Sequence, residues 1–126
     1  MNKPEKILQQ KCIALFRHCS VGTNHLICAV NNNTIARDKV DAYKQDNAKK
    51  SVGSLKGFPD VIVTLENATV LFLEFKSPKG HLTKEQRDIQ HRLIGDGHFY
   101  YEIRSEADFV NAIKLHTATK ITLNQL

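Results

Sequence analysis

The chain has 126 residues, of which 41% are apolar and 25% are charged, a composition typical of one globular domain. Its longest apolar runs, residues 61–65 and 70–73, are much shorter than the ~20 residues of a membrane span, so we expect no membrane protein. Lys and Arg outnumber Asp and Glu by 18 to 13, and the net charge of +5 favours a polyanionic partner, above all nucleic acid.

The predicted elements begin with a helix over residues 4–19. Pro4 suits the first turn of a helix. Apolar residues then recur at helical spacing, and we expect them to pack inward: Ile7, Leu8, Cys12, Leu15 and Phe16. Residues 26–30 form a short apolar run typical of a buried strand, and the polar stretch 38–50 is compatible with a loosely packed helix or a mobile segment.

The second half of the chain alternates strands and helices. Residues 60–65 and 70–76 predict two strands joined by a tight turn, and residues 99–103 predict another strand. Thr83 and Gln86 fit a capping box for a helix that ends at Gly95 or Gly97, and Ser105 caps a last helix through about His116. The residues expected to face inward from these helices are Ile89, Leu93, Ile94, Phe109, Val110, Ile113 and Leu115. The whole chain, residues 1–126, is therefore predicted to be one α/β domain, a small mixed sheet flanked by helices.

The hairpin carries the chemistry that stands out. Because side chains alternate along a strand, Glu74 and Lys76 share one face of the second strand. The register that stacks the apolar faces of both strands places Asp60 on that same side, with paired positions that sum to an even number. Such a register requires an odd loop length or a bulge in the hairpin.

Two neighbouring carboxylates repel each other unless a cation lies between them. A small set of hard oxygen ligands suits Mg²⁺ or Mn²⁺, which activates water and stabilises charge on a phosphodiester. Lys76 would orient or deprotonate that water, or neutralise the transition state. In the structural alternative, Asp60 merely begins a strand, and Glu74 and Lys76 form a solvated pair on an edge strand.

Basic residues cluster around the hairpin, namely Lys49, Lys50, Lys56, Lys79, Lys84 and Arg87, and the five lysines are candidate DNA contacts. His81 follows Lys79-Gly80 and is a further candidate for phosphate contact. The six histidines lack zinc-site spacing, and the three cysteines, Cys12, Cys19 and Cys28, lack CxxC spacing and predict small core residues. Without a signal peptide at the start, we expect an intracellular protein, in the cytoplasm or at the nucleoid.

In order along the chain, Gly57-Phe58-Pro59-Asp60, Glu74-Phe75-Lys76, Lys79-Gly80 and Leu82-Thr83-x-x-Gln86 resemble the VRR-NUC (virus-type replication-repair nuclease) branch of the PD-(D/E)xK nucleases. The resemblance implies a restriction-endonuclease-like fold and metal-dependent hydrolysis of phosphodiester bonds. It implies that Asp60, Glu74 and the main-chain carbonyl of Phe75 ligate Mg²⁺ or Mn²⁺ and that Lys76 is catalytic. It also implies that Gln86 contacts the site and that Glu5 assists the metal.

The small chain looks like a standalone, phage- or prophage-type member of that family, similar to Holliday-junction resolvases in DNA repair. We therefore expect a DNA endonuclease specific for branched or junction DNA. It would act as a homodimer, because two symmetric cuts need two sites related by a two-fold axis. Ile121, Leu123 and Leu126 are candidates for the dimer interface. The alternatives are a catalytically inactive module that binds branched DNA, and a restriction-type or RNA-directed nuclease on the same fold.

Overall fold

The computed structural model describes residues 1–30, 40, 43–45, 47, 48 and 52–117. Helix α1 (Lys3–Cys19) is followed by strand β1 (Leu26–Ala29) and by the hairpin strands β2 (Val61–Leu65) and β3 (Thr69–Phe75). Helix α2 (Lys84–Gly95), strand β4 (Phe99–Ile103) and helix α3 (Glu106–His116) complete the order. In the stretch 38–50, the described residues 40, 43–45, 47 and 48 are helical, and the others lie outside the described residues.

The four strands form one sheet in the order β1-β2-β3-β4. Strand β2 is antiparallel to both β1 and β3, whereas β4 runs parallel to β3. This confirms the predicted α/β architecture with a small mixed sheet. Val61 pairs with Leu73 and Leu65 pairs with Thr69, so the even-sum register of the hairpin is also confirmed.

A three-residue loop, residues 66–68, gives this hairpin its odd length. Asn67 and Ala68 both adopt left-handed backbone conformations, with φ of 61° and 59°. Asn tolerates this region because its short side chain bonds locally, whereas the Ala is strained there. The hairpin therefore accepts local strain to keep the register that pairs the two apolar strand faces.

The hydrophobic core lies between one face of the sheet and helices α1 and α3. From the helices it takes Cys12, Phe16, Phe109, Ala112 and Ile113, and from the strands Ile27, Val61, Val63, Leu65, Leu71, Leu73, Phe75 and Ile103. Helix α2 contacts β4 and adds the buried Ile89. The face of the sheet opposite α1 and α3 carries the polar ends of β2 and β3, so the core fixes the strands without occupying the side where Asp60 and Glu74 lie.

The buried strand expected at 26–30 is wrong in part. Only Ile27 is buried in β1, and Leu26 is 67% exposed. Strand β1 is an edge strand with one neighbour, and Leu26 and Cys28 point to the face away from α1 and α3. Cys28 is therefore exposed rather than a core residue, whereas Cys12 is fully buried and Cys19 packs against the core.

Three apolar residues expected to pack inward are exposed. Ile7 and Leu115 each lie two positions from a buried residue, Glu5 and Ile113, which is about 200° around a helix. Ile94 lies in the last turn of α2, and it is 53% exposed. The inward faces of these helices are therefore narrower than their apolar composition predicts. Among the described helices, none has both the length and the apolar character needed to cross a membrane.

Candidate active site

Asp60 and Glu74 meet at the end of the hairpin. The β2–β3 register places position 60 opposite position 74, on the sheet face away from the core. The carboxylate Oδ2 of Asp60 accepts a hydrogen bond from the main-chain amide of Phe75 at 2.8 Å. The main-chain carbonyl of Asp60 accepts another from the amide of Val30 at 2.7 Å. Asp60 is thus held from both sides, with one carboxylate oxygen already directed at β3.

Glu74 is buried without a hydrogen-bond donor. The residue is 1% exposed, and in the described part of the chain neither of its carboxylate oxygens meets a donor. Burial and the neighbouring charge of Asp60 raise the pKa of Glu74 to about 9. Burial also raises the pKa of Asp60, although the Phe75 amide and Lys76 oppose that shift. Glu74 is therefore no solvated edge residue, which removes the structural alternative for this position.

A cleft of about 400 Å³ opens over these two carboxylates. It is lined by Met1, Asn2, Glu5, Asp60, Glu74, Phe75, Lys76, Gly80, His81, Thr83 and Gln86. Lys76 is 8% exposed and lies on the same face as Glu74. The structure thus brings together every residue that the resemblance assigned to catalysis or to the metal, from α1, both hairpin strands and the start of α2.

Glu5 reaches the cleft from the first turn of α1 and is only 6% exposed. Asn2 caps the helix by accepting from the amide of Glu5 at 3.0 Å. In return, the carboxylate of Glu5 accepts from the amide and the side chain of Asn2 and from the amide of Ser77 at 3.2 Å. Unlike Glu74, Glu5 already has hydrogen-bond donors on its carboxylate, and it links the start of α1 to the chain after β3.

Helix α2 begins at the opposite wall of the cleft. The predicted capping box is confirmed: Thr83 accepts from the amide of Gln86 at 3.2 Å, and Oε1 of Gln86 accepts from the amide of Thr83 at 2.9 Å. This holds the Gln86 side chain at the first turn, facing the cleft. Gly57 packs directly on this turn, because a Cβ at position 57 would lie 2.5 Å from the carbonyl carbon of Glu85.

The candidate DNA contacts that the structure describes are exposed. Lys79, His81, Lys84 and Arg87 are exposed on the 77–83 connection and the first turns of α2. Lys56 is exposed and lies 3.8 Å from a carboxylate oxygen of Glu85. Lys49 and Lys50 lie outside the described residues, so their contact with DNA stays a prediction.

Two residues at this edge were not singled out in the sequence. Glu102 pairs with Glu74 on the neighbouring parallel strand, and Arg104 follows the end of β4. Because parallel strands end at the same edge of a sheet, Arg104 lies beside the chain that leaves β3. The parallel pairing of β3 with β4 is the feature that identifies them. It places the residues that follow β3 beside the residues that follow β4.

The donor set fits a hard divalent cation. Buried carboxylate oxygens without donors, next to a second carboxylate, are stabilised by a cation with oxygen preference. Within the described residues, no three His, Cys, Asp or Glu side chains form a metal-binding group on their own. A metal here would therefore depend on two carboxylates, Asp60 and Glu74, and on a main-chain oxygen. That small donor number leaves coordination positions for water and phosphate, as Mg²⁺ sites commonly do.

Comparison with known proteins agrees with the fold. A solved structure described as a VRR_NUC domain is 14% identical and aligns over 91% of this chain and 99% of its own, with a TM-score of 0.58. This likeness shows that the fold is restriction-endonuclease-like. No curated protein matches the chain. The model of the VRR-NUC domain matches residues 4–107, which span α1 through the start of α3. The chain therefore belongs to the VRR-NUC family, a family of nuclease-type domains, which act on nucleic acids.

Proposed function

We propose that this protein is an endonuclease that depends on Mg²⁺ or Mn²⁺ and cleaves DNA, with a preference for branched or junction structures. The observation that carries the proposal is the buried carboxylate of Glu74, which lacks hydrogen-bond donors and lies against Asp60 at the floor of the cleft. With a pKa of about 9, Glu74 keeps its proton at neutral pH, and a divalent cation between the two carboxylates would favour the charged form by displacing that proton.

Asp60 and Glu74, with the main-chain carbonyl of Phe75, would hold the metal. When bound, the metal would acidify a water molecule and stabilise negative charge on the phosphate. The Phe75 amide keeps Asp60 in place before any substrate arrives, so little reorganisation is needed. Glu5, which the resemblance adds to the metal ligands, is better suited to bracing the site, because Asn2 and Ser77 already donate to its carboxylate.

Lys76 supplies positive charge near the two carboxylates. Its charge opposes the raised pKa values of both Asp60 and Glu74, so it acts on both groups electrostatically. In the reaction it would orient the attacking water and stabilise the charge that builds on the phosphate oxygens. Gln86 would contact the same phosphate from the wall formed by α2.

The exposed cations around the cleft would hold the DNA backbone. His81 lines the cleft, the exposed Lys79 and Lys84 are chain neighbours of the lining residues Gly80 and Thr83, and Lys56 and Arg87 would extend the positive surface. Contacts of this kind are made to phosphates, so they would recognise the path of the backbone rather than a base sequence. Binding would weaken steeply with added salt, because each phosphate contact releases condensed counterions.

A homodimer would present two such clefts for paired cuts in a symmetric junction. The apolar C-terminal residues predicted to join the interface, Ile121, Leu123 and Leu126, lie outside the described residues. Solution scattering at micromolar concentration tests this part of the proposal by mass. A monomeric mass in the presence of junction DNA would contradict it.

The main test is cleavage of labelled linear, flapped and four-way-junction DNA with Mg²⁺, Mn²⁺ or EDTA. Wild-type protein should cut only with a divalent ion, and Asp60→Asn and Lys76→Ala should abolish cutting. Lys114→Ala is the matched control, because it removes one exposed lysine on α3 and should cut normally. Cleavage in EDTA, or by both site variants, would overturn the mechanism, and binding without cleavage would favour the inactive binding module. Cleavage of RNA alone, or of linear DNA at a fixed sequence, would favour the RNA-directed or restriction-type alternative.

A further inference from the structure

The guanidinium of Arg104 contacts the chain that leaves the catalytic strand. One nitrogen, Nη1, donates to the main-chain carbonyls of Ser77 and Gly80, each at 2.7 Å, and lies 3.5 Å from that of Pro78. These residues form the 77–80 loop, which begins directly after Lys76 and ends in the cleft lining. The side chain of Arg104 therefore binds main-chain carbonyls at both ends of this short loop.

The other side of the same guanidinium is anchored on the sheet. Nη2 of Arg104 donates to Oε2 of Glu102 at 3.0 Å, and both side chains are 30% exposed. The second oxygen of Glu102 accepts from Nε2 of Gln90 on α2 at 3.1 Å. A chain of hydrogen bonds therefore runs from α2 through β4 to the 77–80 loop, and Arg104 is its central member.

Glu102 also matters because of where it lies. It pairs with Glu74 across the parallel strands, so a third acidic residue lies on the strand beside Glu74. Gln90 and Arg104 each donate to one oxygen of Glu102, and the guanidinium balances its negative charge. The carboxylate of Glu102 is therefore bound to protein donors, whereas those of Asp60 and Glu74 would bind the metal.

The loop held by Arg104 is tied to the cleft on its other side as well. The amide of Ser77 donates to Glu5, and the amide of Gly80 donates back to the carbonyl of Ser77 at 3.0 Å. A Cβ at Gly80 would lie 2.9 Å from Oγ of Ser77 and 3.4 Å from the carboxylate of Glu5, so the loop is closely packed there. Lys76 itself is anchored through its amide to the carbonyl of Ile103, the residue before Arg104.

We infer that Arg104 is a positioning residue of the active site, which clamps the 77–80 loop and thereby sets the placement of Lys76 and His81 toward the scissile phosphate. A guanidinium suits this role because its planar set of donors serves carbonyls on one side and a carboxylate on the other. The ammonium of a lysine at the same position would have the charge but not the planar arrangement of donors on two nitrogens. The effect on catalysis rests on the proposed nuclease function, whereas the clamp itself does not.

The clamp is tested first without substrate, by amide hydrogen exchange of the metal-free protein. Arg104→Gln should increase exchange at the amides of Ser77 and Gly80, and Arg104→Lys should do so to a smaller extent. Arg92→Gln, which removes one exposed arginine near the end of α2, is the matched control and should leave both amides protected. Unchanged exchange in Arg104→Gln overturns the inference, whatever the protein does to DNA.

Cleavage kinetics then test the consequence for catalysis. Arg104→Gln should lower kcat by about 10- to 100-fold, the range typical of residues that orient a metal-site group, with little change in KM. Arg104→Lys should recover part of kcat, and Glu102→Gln, which keeps the contacts to the carbonyls, should lose less than Arg104→Gln. If Arg104→Gln left kcat unchanged and altered KM only as much as Arg92→Gln does, Arg104 would act only as a surface charge. That result would overturn the inference. If the wild-type protein cuts no nucleic acid, the proposed function fails, and the exchange experiment still decides whether the clamp exists.

Discussion

The carboxylate of Asp60 is held by the main-chain amide of Phe75, 15 residues later in the chain. The contact crosses the end of the hairpin, so it exists only in the register that pairs Val61 with Leu73. It leaves the remaining oxygen of Asp60 on the side of Glu74, and it fixes the amide whose own residue provides the proposed carbonyl ligand. One hydrogen bond therefore joins the pairing of the strands to the geometry of the site.

This contact predicts different outcomes for two substitutions at the same position. Asp60→Asn keeps an oxygen that accepts from the Phe75 amide, whereas Asp60→Ala leaves that buried amide without an acceptor. Only Asp60→Ala should lose stability, by about 1–3 kcal/mol in urea unfolding of the metal-free protein. Both should lose at least about 100-fold in cleavage, because even removal of a residue behind a metal ligand commonly costs 10- to 100-fold. Equal stability of the two variants would mean that the Phe75 contact contributes nothing to the fold.

The raised pKa of Glu74 predicts how the stability of the metal-free protein depends on pH. Because the pKa is about 9 in the fold against 4.5 for an ordinary Glu, the folded state binds more protons than the unfolded state between these values. Stability should therefore be highest below about pH 4.5 for this group and should fall as the pH rises toward 9.

Glu74→Gln should flatten that dependence, measured as the midpoint of urea unfolding at several pH values. Asp88→Asn, a change at an exposed carboxylate on α2, is the control and should leave the slope as in the wild type. Addition of Mn²⁺ at pH 8 should stabilise the wild type more than Glu74→Gln, since a ligand that binds only the folded state raises its stability. The same slope in wild type and Glu74→Gln would contradict the burial of an unpaired carboxylate.

Local patterns were enough to predict most elements of the fold and the pairing that forms the site. The alternation of Val61, Val63 and Leu65 against Leu71 and Leu73 admits one register in which both apolar sets are buried, and that register is observed. The capping residues Thr83 and Ser105 place the starts of two helices because their side chains satisfy free amides of the first turn. These are short-range or period-based effects, which a sequence carries directly.

Contacts between distant segments were not predictable in this way. Strand β1 is mostly exposed because it lies at the edge of the sheet, and the apolar residues Leu26 and Cys28 do not indicate that position in the sequence. The role of Arg104 depends on the parallel pairing of β3 and β4, for which no local pattern exists. Likewise, the hydrogen bond from Ser77 to Glu5 joins residues that are 72 positions apart. Such contacts follow from the order of strands, so they become visible only in the folded chain.

Gly57 is predicted to be required for the wall of the cleft. Its φ of 87° is in the left-handed region, and a Cβ would lie 2.5 Å and 2.8 Å from the carbonyl carbon and the Cβ of Glu85. Gly22 has a φ of 81°, and a Cβ there would meet nothing within 4 Å, so it is a matched control for the backbone effect alone. Gly22→Ala should cost about 1–2 kcal/mol, and Gly57→Ala should cost about 1–3 kcal/mol more, because α2 must move. Equal losses in urea unfolding would show that the close packing on α2 is not needed.

Glu5 is predicted to act as a brace between α1 and the 77–80 loop rather than as a metal ligand. Its carboxylate accepts from Asn2 and Ser77, whereas that of Glu74 has no donor in the described chain. Glu5→Gln keeps an oxygen acceptor for Ser77 and should bind Mn²⁺ as the wild type does, measured by calorimetry. Glu5→Ala should lose about 1 kcal/mol of stability, typical of a lost helix cap, and should speed amide exchange at Ser77. Glu5→Gln and Asp60→Asn each remove one negative charge and keep the shape of the side chain. If both weakened Mn²⁺ binding equally, Glu5 would contribute to metal binding as much as the proposed ligand Asp60, and the bracing role would be wrong.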